Sequence, residues 1–289
     1  MVFGMTLAVE MKINPAMLAA IIFLGAAGGG MSPLAATGII GLDLCQGFGL
    51  TGIELPLLVN GVLSSTVYAA LVYVAFGGYK LKSDVVLQFS DIPAFNKEQI
   101  VTLIGIASMV GLVMLFKVNV GLASFTVAMV LSFLRVSDEE QALKKIPWGT
   151  LLLICGVGVL MNVIIALGGI DLLSASLASV MSAKTATTIL GVTAGVMSWF
   201  SSTSGVVMPT LIPTIPHIIQ QMSISVNPVE WVTAISMVSN TAGISPLSTG
   251  GALALAAYSA EAGAAAGELD RLFIKMFSIS AAGVVTLSI

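Results

Sequence analysis

Charge is scarce in this sequence. Asp, Glu, Lys and Arg together make up 9% of its 289 residues, against roughly 25% in an ordinary soluble domain. So few charges cannot coat a globular surface, which excludes a soluble enzyme and a disordered regulator. The net charge of −3 offers no basic face to a polyanion, so no nucleic acid is expected as a partner. Cysteine occurs twice, at Cys45 and Cys155, each inside an apolar run; neither a disulfide framework nor a metal site follows. No Asp, Glu, Lys or Arg falls near the middle of any apolar run; Asp43, Glu54, Glu230 and Glu261 sit near the ends. A proton relay across a membrane needs buried ionisable groups, and no chain of them is present. The opening MVFGMTLAVEMK has a Glu inside its apolar stretch and no basic n-region, so no cleavable signal peptide is expected.

What is present is length of apolar run. Hydrophobic residues are 57% of the chain and the mean hydropathy is +1.06. A β-barrel would alternate apolar and polar residues in short segments; these runs are long and unbroken. The expected fold class is an all-α polytopic membrane protein, because a bilayer core takes about 20 apolar residues per helix. Runs of that kind cover 16–48, 54–78, 99–116, 119–135, 148–170, 229–262 and 269–289. The first is interrupted by GMSPLAAT and the sixth by GISPLSTG. Residues 172–222 differ: an amphipathic piece, a run at 185–199, a polar tip Ser201-Ser202-Thr203, and a second run carrying Pro209, Pro213 and Pro216. That pattern predicts a re-entrant hairpin. The segmentation is 1–50 for the end of a first-repeat hairpin and the first broken helix, and 51–98 for a span and cytoplasmic linker. Residues 99–170 form scaffold spans, 171–226 the hairpin, and 227–289 the second broken helix and last span.

Alternating the spans around that hairpin places Lys12, Lys80, Lys82, Lys97, Arg135, Lys144, Lys145, Arg271 and Lys275 on one side, and Lys117 and Lys184 on the other. The lysine- and arginine-rich side is expected to be cytoplasmic. The expected setting is a bacterial inner (plasma) membrane, with the C-terminus outside.

Residues 14–38 align without a gap to 227–251, an offset of 213, with 8 of 25 positions identical. Most identities between apolar segments carry little weight. The pairing of Asn14-Pro15 with Asn227-Pro228, followed sixteen residues on by Gly30-x-Ser32-Pro33-Leu34 and Gly243-x-Ser245-Pro246-Leu247, carries more. Four crossings between the copies would set the second upside down relative to the first. Inverted repeats with breaks at matching positions mark secondary transporters. The repeat arithmetic also places a first hairpin tip near position −10, so the chain is expected to lack an N-terminal part.

Pro33 and Pro246 cannot donate a backbone hydrogen bond and clash with the preceding turn, and Gly30 and Gly243 relax the chain beside them. Each helix is expected to unwind at mid-membrane, which is tolerated only inside protein or against a cavity. Freed carbonyls would suit a cation, and a new helix N-terminus an anion. Ser32, Thr37, Ser245, Ser248 and Thr249 add hydroxyls there. The tip Ser201-Ser202-Thr203-Ser204-Gly205 and the triplet Ser239-Asn240-Thr241 repeat the design. With no buried charge to hold it, an anion would rest on helix N-termini, hydroxyls, Asn240 and a co-bound cation, Na⁺ favoured over H⁺.

The tip SSTSGVVMPTLIP resembles the Ser-Asn-Thr tip of the divalent-anion/sodium symporters of the ion-transporter superfamily, and GMSPLAATGII and NTAGISPLSTGGA resemble the broken helices of its MatC-type dicarboxylate carriers. The resemblance covers nearly the whole chain, as the C-terminal two-thirds of such a carrier. It implies a secondary transporter, not an enzyme, for a malonate- or succinate-like anion, with Na⁺ as the possible coupling ion and no other cofactor. The site it implies is Ser201, Ser202, Thr203, Ser204, Asn240, Thr241, Gly243, Ser245, Pro246, Gly30, Ser32, Pro33 and Thr37, with Na⁺ held by Ser201, Thr203, Gly243 and Ser245. Ser202 stands where the family's tip Asn would be. The resemblance also implies a homodimer with residues 54–82 and 99–135 in the scaffold, surrounded by membrane lipid.

Two other readings compete. One is a non-transporting fragment of such a carrier. The other is an intramembrane serine hydrolase using Ser204 with His217. Taken alone, Ser-Ser-Thr is more often a helix cap or interhelical glue, and a lone Gly-x-Ser-Pro merely a kink. His217 reads as packed or lumen-facing, and DEEQALKK as a solvated turn.

Overall fold

A computed structural model describes residues 1–81, 95–116, 118–136, 138–146, 148–262 and 266–289. Lys82, Lys117 and most of the linker expected before residue 98 lie outside the described residues. The described residues are mostly helical: α1 Val2–Glu10, α2 Pro15–Gly29, α3 Ala36–Gln46, α4 Glu54–Ala75, α5 Lys97–Phe116, α6 Val120–Phe133, α7 Glu139–Lys145, α8 Trp148–Ala166, α9 Gly169–Val180, α10 Ala186–Phe200, α11 Met208–Leu211, α12 Ile215–Met222, α13 Pro228–Ala242, α14 Thr249–Ala262 and α15 Ala266–Ser288. The described residues contain no strand. Residues 54–75, 97–116 and 267–288 are each long and apolar enough to cross a membrane.

α4 shows why these helices belong in lipid. Its buried stripe is Leu57, Gly61, Ser65, Tyr68 and Val72, one residue per helical turn. The opposite face carries Leu55, Val59, Val62, Leu63, Val67, Leu71 and Val74, all exposed. A helix apolar on both faces gains from burial only if its outer face meets hydrocarbon rather than water. The inner stripe is made of small residues where neighbours come close. A Cβ added at Gly28 of α2 would lie 3.1 Å from the Ser65 side chain, and Gly61 faces Met31 and Met237. Close approach of backbones through small residues is how membrane helices pack.

Two compact units form, 1–83 with 152–289, and 84–151. In the larger, α4 packs with α2 and α13, the two helices that end at the breaks. The smaller unit is the α5–α6 pair and α7. There the segment read as a solvated turn forms the short exposed helix α7, capped by Asp138 Oδ1, which accepts from the Glu140 N–H at 3.0 Å.

The run with three prolines is a helical arm that changes type as it goes. A π-turn at Thr203–Val207 leads into α11, a 3₁₀ turn at Ile212–Thr214 and then α12. Proline removes a donor from the ladder and crowds the preceding turn, so the helix shifts register there rather than stopping. Met208, Leu211, Ile212, Ile215 and Ile218 of this arm are fully buried against residues of α3, α10 and α13. Its far end meets α9, where Asp171 Oδ1 lies 2.9 Å from His217 Nδ1.

Candidate functional site

The two copies of the repeat fold alike, residue by residue. α2 and α13 are each 15 residues long, and their bounds differ by the sequence offset. Each begins Asn-Pro. Asn14 Oδ1 accepts from the Ala16 N–H at 3.0 Å, and Asn227 Oδ1 from the Val229 N–H at 3.1 Å. Such caps satisfy donors that the first turn leaves open. Each helix ends at a glycine of nearly the same conformation: Gly30 at φ −64, ψ −16 and Gly243 at φ −63, ψ −7. Beyond it, Ser32 Oγ accepts from the Leu34 N–H and Ser245 Oγ from the Leu247 N–H, both at 3.2 Å. These serines hold the turn across prolines that have no N–H of their own. The chain returns to helix at Ala36 and at Thr249. The return is so tight that a Cβ at Gly38 or Gly251 would collide with the carbonyl of Ser32 or Ser245.

The copies differ one residue before the second helix resumes, where Ala35 stands against Ser248. The Ser248 hydroxyl lies 2.6 Å from the Gly243 carbonyl oxygen and 2.8 Å from that of Ser245. In the first break the Gly30 carbonyl instead accepts from the Gly38 N–H at 2.8 Å. The unwound carbonyls are thus not left bare as the sequence suggested. Buried backbone acceptors need partners, and here the breaks supply their own.

The polar tip comes to the second break. α10 ends at Phe200, two extended residues follow, and Thr203 opens the second arm. Thr203 Oγ1 donates to the Ser239 carbonyl at 3.0 Å. Ser198 Oγ donates to the same carbonyl at 2.6 Å and lies 3.0 Å from Thr203 Oγ1. One turn on, the Ala242 carbonyl accepts from Ser280 Oγ at 2.8 Å, and Trp199 Nε1 donates to that hydroxyl at 2.9 Å. The break therefore exposes the last carbonyls of α13, and hydroxyls from α10, the tip and α15 converge on them. A helix C-terminus carries a partial negative charge, so this end suits a hydroxyl or a cation.

Some polar atoms stay unsatisfied. Asn240 Nδ2, Thr241 Oγ1 and Ser236 Oγ are buried with no hydrogen-bond partner among the described residues. Ser236 and Asn240 are one turn apart and share a face of α13. A buried unpaired donor costs about 1–3 kcal/mol, so each such group in a native fold calls for an explanation.

Other expected ligands are turned elsewhere. Ser201 Oγ donates back to the Met197 carbonyl at 2.6 Å. Ser202 Oγ accepts from the Gly205 N–H at 3.1 Å, a capping task that Asn performs equally well. Pro246 is buried within the second break. Among the described residues, Gly30, Ser32, Pro33 and Thr37 make no hydrogen bond to the tip or to the second break. The first copy reaches the second through Phe23 of α2, whose ring lies against Gly243 and Gly250. Ser204 and His217 are separated along one helical arm by thirteen residues, about 20 Å at 1.5 Å per residue. They form no nucleophile–base pair, although Asp171 does orient the His217 ring.

Ser198 was not among the sequence candidates. Its signal was a serine one turn before the tip in an otherwise apolar helix, a position where a hydroxyl must find an acceptor. Ser280 carries the same signal in α15.

No curated protein matches the chain. A family model described as "Citrate transporter" (CitMHS) matches residues 1–287, in keeping with the all-helical fold, the lipid-facing apolar surfaces and the repeated broken helix. The chain belongs to this citrate transporter family, and is an all-α polytopic membrane protein of a class of secondary transporters for citrate-like anions.

Proposed function

We propose that the chain carries a citrate-like carboxylate across the membrane together with a cation, at a site formed by the hairpin tip and the second break. The observation that carries this is the Asn240 amide, a buried donor with no hydrogen-bond partner among the described residues. It lies next in sequence to the carbonyl on which Thr203 and Ser198 converge. A carboxylate oxygen would satisfy it, with the Thr241 and Ser236 hydroxyls as further donors. The cation, Na⁺ first, would sit at the Ser239 carbonyl and Thr203 hydroxyl, with Gly243 and Ser245 nearest in the chain. Moving Thr203 away from Ser239 would open that position. In this reading the two broken helices run in opposite directions, and the lysine-rich side faces the cytoplasm.

The test is uptake of labelled citrate, malonate and succinate into proteoliposomes, with external Na⁺ or with K⁺ in its place. Na⁺-dependent uptake that Asn240→Leu abolishes supports the site. Wild-type uptake in the Thr203→Val, Ser245→Ala double variant would overturn it. A rate independent of Na⁺ would overturn the sodium assignment.

A further inference from the structure

Where α1, α2, α14 and α15 meet, an open cleft of about 480 Å³ lies far along the chain from the tip and is lined in part by Lys12, Asn14, Tyr258, Glu261 and Lys275. Its charges are oddly arranged. Two lysines and one glutamate share the cleft, yet among the described residues neither lysine has a carboxylate within 4 Å. Asn14 spends its Oδ1 on the Ala16 N–H, and its amide hydrogens have no acceptor among the described residues. The Tyr258 hydroxyl has none either. Four side chains able to donate thus line the cleft with a single carboxylate, Glu261.

Lys12 is held there at a cost. The Ile13 N–H bonds to the Ala8 carbonyl at 2.9 Å and the Lys12 N–H to the Val9 carbonyl at 3.3 Å. This pair of bonds closes α1 and puts Lys12, with φ +54, at the left-handed position that glycine prefers. A cation stands where the backbone favours a residue without Cβ.

We propose that the cleft binds the phosphoethanolamine headgroup of a bilayer lipid. The phosphate bridges the ammonium groups of Lys12 and Lys275 and accepts from Asn14 and Tyr258, and the lipid's own ammonium pairs with Glu261. Charge complementarity selects this occupant. A purely anionic headgroup would leave Glu261 facing negative charge, and a free phosphate would leave it without a partner. Ala8, Val9 and Ile13 line the same cleft and give the acyl end an apolar exit. Both lysines fall on the same side in the charge reading of the sequence, as one headgroup layer requires.

Native mass spectrometry of the full chain in detergent reads the result. The probes are dihexanoyl phosphatidylethanolamine, dihexanoyl phosphatidylglycerol and inorganic phosphate. Retained phosphatidylethanolamine should fall about tenfold in Lys12→Gln, Lys275→Gln, as charge-assisted hydrogen bonds to phosphate are lost. It should be unchanged in Lys184→Gln, a lysine outside the cleft. Glu261→Gln should remove the preference for phosphatidylethanolamine over phosphatidylglycerol, lowering retention of the first and raising that of the second. Equal retention in the double lysine variant and the wild type overturns the site. No preference between the two lipids in the wild type overturns the amine assignment. Displacement of the lipid by micromolar inorganic phosphate overturns the lipid as the ligand. All four substituted side chains are exposed, and an unchanged melting temperature separates lost binding from lost folding.

Discussion

The Ser239 carbonyl makes a prediction about non-additivity. It accepts from Ser198 at 2.6 Å, from Thr203 at 3.0 Å and from the Gly243 N–H at 3.2 Å. The Gly243 N–H is shared with the Asn240 carbonyl at 2.9 Å, so it supports Ser239 only weakly. Ser198→Ala removes one hydroxyl and leaves the acceptor satisfied by Thr203. A typical intramolecular hydrogen bond contributes about 0.5–1.5 kcal/mol, and polar contacts between membrane helices average about 0.6 kcal/mol. Ser198→Ala should therefore cost about 0.6–1.5 kcal/mol. Thr203→Val, which keeps the side-chain shape, should cost about the same. The double variant differs in kind, because both strong donors are gone and a buried carbonyl is left nearly orphaned, a penalty of about 1–3 kcal/mol. The double should exceed the sum of the singles by about 0.5–1.5 kcal/mol. Unfolding of all four proteins in mixed detergent micelles measures this as a double-mutant cycle. Additivity within about 0.3–0.5 kcal/mol, the level found for independent sites, would refute the shared-acceptor geometry. Uptake by the single variants adds a second readout, since a tip loosened from α13 should change the apparent cation affinity before it changes the maximal rate.

Asn240→Leu should leave the melting temperature unchanged or raised, since it removes a buried unpaired donor, while abolishing uptake; a large loss of stability would show that the amide has a structural partner. Gly251→Ala should cost more than about 3 kcal/mol and lower the folded yield, because the added methyl meets the backbone of Ser245 rather than a movable side chain; normal thermal stability would contradict the tight return into α14. Asn14→Ala and Asn227→Ala should each cost about 1 kcal/mol, measured by detergent unfolding. Asp171→Asn should cost under about 1 kcal/mol, because both partners of the His217 pair are substantially exposed.

Much of the helical layout could be read directly. Run length and the Gly-x-Ser-Pro motif placed both breaks, and the offset between the copies recurs in the helix bounds and capping bonds. These features are local: proline, glycine and an Asn cap act within a turn of themselves. The segment DEEQALKK became a helix where a turn was expected, because Asp138 caps it and Glu140 pairs with Lys144 at 2.6 Å. The site was legible only in part. Thr203 and the Ser239–Thr241 triplet stood out as polar in apolar surroundings, and Thr203 is bonded to the Ser239 carbonyl. Ser201 and Ser202 carried the same signal, yet their hydroxyls serve the tip's own backbone.

By itself, then, the sequence determined that the chain is helical, that it belongs in lipid, and that two of its helices break at equivalent points. Each of these follows from composition or from neighbours a few residues apart. Which hydroxyls meet which carbonyls was decided only by the tertiary structure. Ser198 and Thr203 reach Ser239 across 41 and 36 residues, and Tyr68 reaches the Ile279 carbonyl across 211. The company of α4 was likewise a tertiary matter. A helix that is apolar on every face gives no sequence signal of which side turns inward, and small residues such as Gly61 and Ser65 show their purpose only when a second backbone comes against them.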